Sequence, residues 1–331
     1  MNKHIDIDHD KFQHVGDVAQ QIISRVKPEL QYDGGTITIP GVYSGISLDT
    51  YHGKLDLLDA ASVSKSILKW IFPSRGGSPK AFWGRWAHNP RHVQQKRSDA
   101  LDFGKATHCL VLGDEVFEEA FSIRPDIYSD YKTKDAKAWR DAVIASGKTP
   151  ITSQDIDKIQ RMAEDAAQNP LIRAGILNGR VERSMFSKDD ETGIWLRSRP
   201  DTIAADGIFA DLKTTSSLDE GFLERQAHDC GYFLQAAVTR MVCRDLGLPF
   251  DTFALIYLLN DDVPDTAHVE LDEFDIDRAE KEIRWALRTI RHGLDTGDWP
   301  GKRPFDDGTK RLQLKTWEKE RIDRFLELEA A

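Results

Sequence analysis

Apolar positions recur every three to four residues in two stretches of the chain. Ile156, Ile159, Met162, Ala163 and Ala166 form one stripe between Thr152 and Asn169, and Pro170 ends it. Ile276, Ala279, Ile283, Ala286, Leu287 and Ile290 form another between Asp275 and Arg291. Both spacings predict amphipathic helices. Leu101 to Leu112 reads as a buried helix stopped by Gly113. Thr214-Thr215-Ser216-Ser217 offers caps for a long helix from about Leu218 to Asp245, closed by Gly247 and Pro249. Between these lie shorter runs of strand formers. Val181–Lys188, Trp195–Ile203 and Ile208–Leu212 are three, with Asp189-Asp190-Glu191-Thr192-Gly193 as a turn after the first. Phe253–Leu259 is continuously apolar, as expected of a central strand covered on both faces, and Ala267–Leu271 is a further candidate. The order is helix, three strands, helix, two strands, helix. It predicts an α/β (mixed α+β) fold, a central mixed sheet flanked by helices.

Upstream the pattern is less regular. Ser62 or Ser64 caps a helix through Leu68 to Phe72, which Pro73 and Gly76-Gly77 end; another runs from Pro79 to His88. Asp114 to Phe121 adds a short turn. Asp126–Asp135 reads as a loop, and Ser129–Ser146 is mostly polar around Trp139. Residues 1–60 read as an arm or small subdomain, 61–300 as the main domain, and 301–331 as a charged helical tail carrying Glu318, Lys319, Glu320 and Arg321.

The most informative chemistry lies at one predicted hairpin. A three-residue loop, Ala205-Asp206-Gly207, with Gly in the left-handed position, pairs Asp201 with Asp211. Side chains alternate along a strand, so Lys213 shares the face of Asp211, and Arg197 and Arg199 join it. Two facing carboxylates repel unless a cation lies between them, and hard oxygen ligands suit Mg²⁺ or Mn²⁺. A two-residue loop would shift the register by one and disperse the cluster. Spacing alone leaves two readings open, a metal site and an ordinary solvated face of mixed charge.

Composition narrows the partners. The chain has 331 residues, 40% hydrophobic and 30% charged, enough for a sizeable core in a soluble globular protein. The polar, acidic start is unlike a signal peptide, and no apolar run is long enough for a membrane span. Three scattered cysteines, Cys109, Cys230 and Cys243, fit a reducing, cytoplasmic setting without a disulfide framework. The net charge of −10 argues against a polyanionic partner until its distribution is considered. Lys65, Lys69, Arg75, Lys80, Arg85, Arg91, Lys96 and Arg97 fall in a stretch with no acid, interleaved with Trp70, Phe72, Phe82, Trp83 and Trp86. That interleaving suits a groove for a nucleic-acid backbone. The aromatics taken singly read as core. Glu182 reads as a solvated residue more readily than as a further acidic helper, and His228 and His268 as ordinary histidines.

The series Gly104-x-x-x-His108, Pro200-Asp201, Asp211-x-Lys213 and Gln235 resembles the PD-(D/E)XK nuclease superfamily. More narrowly it is similar to phage and prophage exonucleases of the RecE (exodeoxyribonuclease VIII) type, related to lambda exonuclease and the RecB nuclease domain. Pro40-Gly41-Val42-Tyr43, Thr107–Leu112, Arg197–Asp201, Asp211–Thr215 and Gly297-Asp298-Trp299-Pro300 carry the likeness over roughly residues 40–300. It implies His108, Asp201, Asp211 and the Leu212 carbonyl as ligands of Mg²⁺ or Mn²⁺. It implies Lys213 as the residue that orients or deprotonates the attacking water, and Gln235 as a stabiliser. Arg197, Arg199, Lys65, Lys69, Arg75, Lys80 and Arg85 become candidates for DNA contact. The family's tyrosine four residues after the glutamine is replaced by Thr239, with Tyr232 upstream.

The function implied is a metal-dependent exodeoxyribonuclease, of bacterial or phage origin, that degrades one strand of linear double-stranded DNA 5′ to 3′. The 3′ overhangs would feed recombination by a RecT- or Beta-like single-strand annealing protein. A homo-oligomeric ring, trimer or tetramer, is implied as well, with no membrane partner. The alternatives are a restriction- or repair-type endonuclease of the same superfamily and a non-catalytic DNA-binding protein on this fold.

Overall fold

The computed structural model describes residues 29–93, 97–113, 116–304 and 311–329. Most of the expected N-terminal arm (1–28), Lys96 of the basic stretch and the start of the turn expected at Asp114 lie outside the described residues.

Twelve strands occur among the described residues. They are β1 (Leu30–Gln31), β2 (Gly41–Ser44), β3 (Ser62–Ser64), β4 (Phe121–Ile123), β5 (Thr149–Ile151), β6 (Arg180–Val181), β7 (Ser184–Lys188), β8 (Trp195–Ser198), β9 (Thr202–Ala205), β10 (Gly207–Thr215), β11 (Phe250–Leu259) and β12 (Thr266–Glu270). The longer helices are α1 (Asp99–Leu112), α2 (Lys134–Ala145), α3 (Ser153–Ala166), α4 (Glu220–Cys230), α5 (Tyr232–Leu246), α6 (Glu273–Thr296) and α7 (Thr316–Glu329).

The mixed α/β architecture is as the periodicity predicts, but it uses two five-stranded sheets where one was expected. The first runs β1-β2-β7-β8-β3 and the second β12-β11-β10-β9-β6; β4 and β5 form a small pair. Residues 30–44 therefore belong to the first sheet through the β2–β7 pairing, so the boundary expected near residue 60 falls inside it. The second sheet is covered on both faces. Ala210, Leu212, Ile256 and Leu258 meet Phe103, Ala106 and Cys109 of α1 and Ile159 and Met162 of α3. Phe209, Phe253, Leu255 and Tyr257 pack with α5 and α6 on the other side. A run buried on both faces has no polar face to show, which is why Phe253–Leu259 does not alternate.

Local chemistry sets the ends of these elements. Thr152 and Asp155 form a reciprocal capping box that starts α3. The Asp189 carboxylate accepts from the Thr192 N–H and hydroxyl, and Gly193 takes φ +68, which builds the β7–β8 turn.

Three expected elements are broken. The long helix divides at Gly231, whose φ of +70 ends α4 and starts α5. The expected strand Trp195–Ile203 becomes β8 in the first sheet and β9 in the second, joined by Arg199-Pro200-Asp201. Proline supplies no N–H to a ladder, so the crossing falls where pairing is weakest. Val181–Lys188 likewise divides between the sheets, and at the break Glu182 takes φ +54. The helix expected over Pro79–His88 stops at Trp83, and the one begun at Lys65 is a single turn to Leu68. The charged tail does contain a helix, α7.

Candidate active site

The two sheets part at the Arg199-Pro200-Asp201 crossing, and a cleft of about 1260 Å³ opens there. Its floor is the hairpin. β9 and β10 pair Ala205 with Ile208 across a two-residue turn, tighter than the three-residue loop expected. A register shift between Ile208 and Phe209 restores the pairing of Ile203 with Phe209 and Thr202 with Ala210, so the register extended by one residue sets Asp201 opposite Asp211. Gly207 holds φ +82 at the turn, and a Cβ there would run into the Asp251 carboxylate. The ladder itself stops at Thr202, because the chain turns away at Pro200.

Asp201 is buried and its Oδ2 accepts the Leu212 N–H at 2.6 Å. N–H and C=O of one strand residue point to the same edge, so the Leu212 carbonyl lies on the Asp201 side of β10. Asp211 is completely buried, with its carboxylate shared between the Gln235 amide at 2.5 Å and an ion pair to Lys213. His108 projects from α1, with Nδ1 3.3 Å from Asp201 Oδ2. Burial disfavours a charged imidazole, but the Asp201 carboxylate outweighs it and raises the His108 pKa. Burial would raise the Asp201 carboxyl in turn; His108, Lys213 and the Leu212 N–H hold it below the ordinary value. Lys213 is pushed down to about 8 by burial and by the Lys65 charge. Lys65 falls to about 8 too, through burial and Lys69.

Both ammonium groups flank one ring: Lys213 Nζ lies 4.9 Å and Lys65 Nζ 5.4 Å from the Tyr232 centroid. An aromatic thus stands beside the site lysine although Thr239 occupies the position where the resemblance leads one to expect tyrosine. Thr239 has its own task. Its hydroxyl donates to the Gln235 carbonyl at 2.9 Å and takes a bond from Ser198 at 2.7 Å, tying α5 to β8 behind the site.

The basic residues expected on the DNA divide. Lys65, Arg197 and Arg199 line the cleft. Arg197 reaches it from β8 and Arg199 from the sheet crossing, with both guanidiniums over the buried Tyr51 ring, at 4.4 and 5.5 Å. Arg199 also pairs with Glu182 and donates to the Ile46 carbonyl at 2.7 Å. Arg75 is engaged outside the cleft: it lies over the Phe72 ring, bonded to both Glu282 oxygens at 2.9 and 2.8 Å and to the His228 carbonyl. Lys69, Lys80 and Arg85 lie outside the cleft lining. Arg85 covers the exposed ring of Trp70 at 4.1 Å, and Lys69 lies 5.5 Å from the same ring. Phe72, Phe82 and Trp86 are core, as expected, and Trp83 stacks on Trp299 at 4.6 Å.

Two cleft residues depart from the sequence reading: Lys105, which it does not name, and Glu182, which reads there as solvated more readily than as an acidic helper. Lys105 also lines the cleft, and it lies three residues before His108, a spacing that places both on one helical face. Glu182 is not solvated: only 12% of its side chain is exposed, and it can offer an oxygen within 4.8 Å of ligand atoms from His108 and Asp201. No periodicity marks it, because its placement comes from a break between two strands.

The donors suit a hard divalent cation: buried carboxylates, one imidazole and a strand carbonyl. Gln235 Oε1 is buried without a hydrogen-bond donor among the described residues, an acceptor suited to a metal-held water. Among the described residues no helix is long and apolar enough to cross a membrane.

No curated protein matches the chain in sequence. Its backbone is similar to the crystal structure of a "Putative exonuclease" from Eubacterium rectale, with a TM-score of 0.52 at 13% identity, over 82% of this chain and 96% of that one. At that identity the likeness establishes the fold. Residues 64–303 match the family described as PDDEXK-like domain of unknown function (DUF3799), and the chain, with Asp201 at the sheet crossing and Asp211 and Lys213 on β10, belongs to that family.

Proposed function

We propose that the protein is a divalent-metal-dependent exodeoxyribonuclease that degrades one strand of linear double-stranded DNA, 5′ to 3′, and leaves 3′ overhangs. The observation that carries this reading is the convergence of Asp201, Asp211, Lys213 and His108 at the bottom of a cleft whose walls carry Lys65, Lys105, Arg197 and Arg199. A PD-(D/E)XK nuclease uses divalent metal. When bound by His108, Asp201, Asp211 and the Leu212 carbonyl, Mg²⁺ or Mn²⁺ would polarise the phosphate and acidify a water. The chain's own groups then divide the work. Lys213, with its amine poised near neutrality, accepts a proton from the attacking water or holds the charge that develops on it. Gln235 fixes the Asp211 carboxylate. Arg197 and Lys65 neutralise the non-bridging oxygens and set the register of the backbone.

A cationic cleft in a chain of net charge −10 suits a ring with an acidic exterior enclosing the duplex, and 3′ overhangs are the substrate of a single-strand annealing recombinase. The test is digestion of linear duplexes labelled at the 5′ or the 3′ end, with and without Mg²⁺ or Mn²⁺, beside a closed circle. Release of the 5′ label with the circle intact is the expected result. Cleavage of the circle would assign an endonuclease, and metal-independent binding without cleavage would assign a non-catalytic protein on this fold.

A further inference from the structure

Glu182 is the residue of the cleft that the family motif leaves without a task. Among the described residues it alone, apart from glycines, takes a left-handed φ, at +54. Such a conformation is uncommon for a residue with a side chain and persists only when the surroundings hold it. Two contacts hold it here. Its N–H donates to the Asp201 carbonyl at 2.9 Å, and its carboxylate pairs with Arg199, which is itself anchored on the Ile46 carbonyl and on the Ser184 hydroxyl at 3.0 Å. The two strands it separates, β6 and β7, belong to different sheets. Extended backbone at this point would carry the side chain along a strand; the break turns it toward α1 and the crossing, where it joins His108 and Asp201 with ligand atoms no more than 4.8 Å apart. Asp211, by contrast, is engaged with Lys213 and Gln235.

We propose that Glu182 is a direct ligand of the divalent cation, beside His108 and Asp201, and that Arg199 serves as its counter-ion while the cation is absent. The inference rests on the metal-dependent nuclease reading above and adds a protein ligand that the family motif does not supply. It also bears on metal choice. With Asp211 the set holds three carboxylates and one imidazole, and the imidazole, the softer donor, favours Mn²⁺ over Mg²⁺.

Calorimetric titration of the DNA-free protein with Mn²⁺, and separately with non-catalytic Ca²⁺, tests this without any turnover. Glu182→Gln keeps the shape and an acceptor for Arg199 but removes the charge. It is expected to weaken Mn²⁺ binding by roughly 10- to 100-fold, with circular dichroism and the apo melting temperature close to the parent. Glu182→Asp, which keeps a carboxylate, should recover part of the loss. Asp201→Asn and Asp211→Asn serve as the reference for the site itself. If they abolish Mn²⁺ binding while Glu182→Gln binds like the parent, Glu182 only positions Arg199 and the inference is overturned with the nuclease reading intact. If none of the variants alters binding, the metal site is misplaced and both fall.

Discussion

The hairpin from Asp201 to Thr215 and the acid-free stretch from Lys65 to Arg97 are both rich in functional-looking charge, and the fold treats them differently. In the hairpin, charges two apart stay together: Asp211 and Lys213 share one face of β10, and Asp201 meets them through the register of β9. In the basic stretch the charges scatter. Lys65 enters the cleft, Arg75 is consumed by Glu282, and Arg85 lies on Trp70 outside it. A strand has a fixed period, so sequence spacing translates into side-chain direction. Residues 65–93 form only short helical turns, and there spacing gives no direction.

The sharpest way to break this comparison is to remove the hairpin charges. Asp201→Asn, Asp211→Asn and Lys213→Met should each lower nuclease activity on linear duplex by on the order of 10²- to 10⁴-fold, measured as acid-soluble nucleotide release. Lys213→Met with wild-type rates would remove the hairpin from catalysis. The parent's rate should also rise with pH through about 8, the value to which burial and Lys65 push Lys213, because its neutral amine becomes the major form above that point. A rate flat across this range would assign Lys213 the role of a fixed charge.

Arg197→Gln comes next. It lines the cleft with its guanidinium 4.4 Å from the Tyr51 ring centroid, so a phosphate entering the cleft is its natural acceptor. Loss of one charge-assisted bond should weaken DNA binding by about 1.5–3 kcal/mol, read as a higher KM or Kd in filter binding. Arg75→Met should do the opposite of what its place in a basic stretch suggests. With Glu282 left unpaired, stability should fall by about 2 kcal/mol, visible in denaturant melts, while DNA affinity at permissive temperature stays unchanged. Lys80→Ala and Arg85→Ala should change least, shifting affinity about twofold and the salt dependence by no more than about one phosphate contact each. An effect at Arg85 as large as that at Arg197 would place DNA over Trp70 and merge the two regions into one surface.

How legible the chain was follows the same division. The amphipathic helices α3 and α6 and the apolar strand β11 were readable because burial on one face leaves a periodic signature and burial on both an unbroken apolar run. So was the hairpin, since Gly207 fixes its turn. Readings failed where one stretch serves two sheets. Trp195–Ile203 has strand formers at both ends, and only the Pro200-Asp201 pair between them marks the change of partner. The break at Gly231 hid inside an otherwise continuous helical stretch. Glu182 reads as solvated in the sequence because its direction is set by a single left-handed backbone angle, which the sequence pattern does not announce. The ends of the cleft were legible in part: Lys105 follows from His108 by helical spacing, whereas Tyr51 and Arg199 meet only through tertiary packing.

The pairing of β10 carries a consequence in time. Its antiparallel neighbour β9 precedes it by one turn residue, but its parallel neighbour β11 arrives only after α4 and α5 have been made. Parallel strands need such a crossover, and closing it is slow relative to a hairpin. Asp211 and Lys213 therefore lie on a strand whose second edge, Leu255 and Tyr257, emerges from the ribosome late, and Gln235 lies within the crossover itself. On the proposed function, a growing chain holds its ligand residues long before it can cut, and the capacity to destroy DNA is withheld from every unfinished copy.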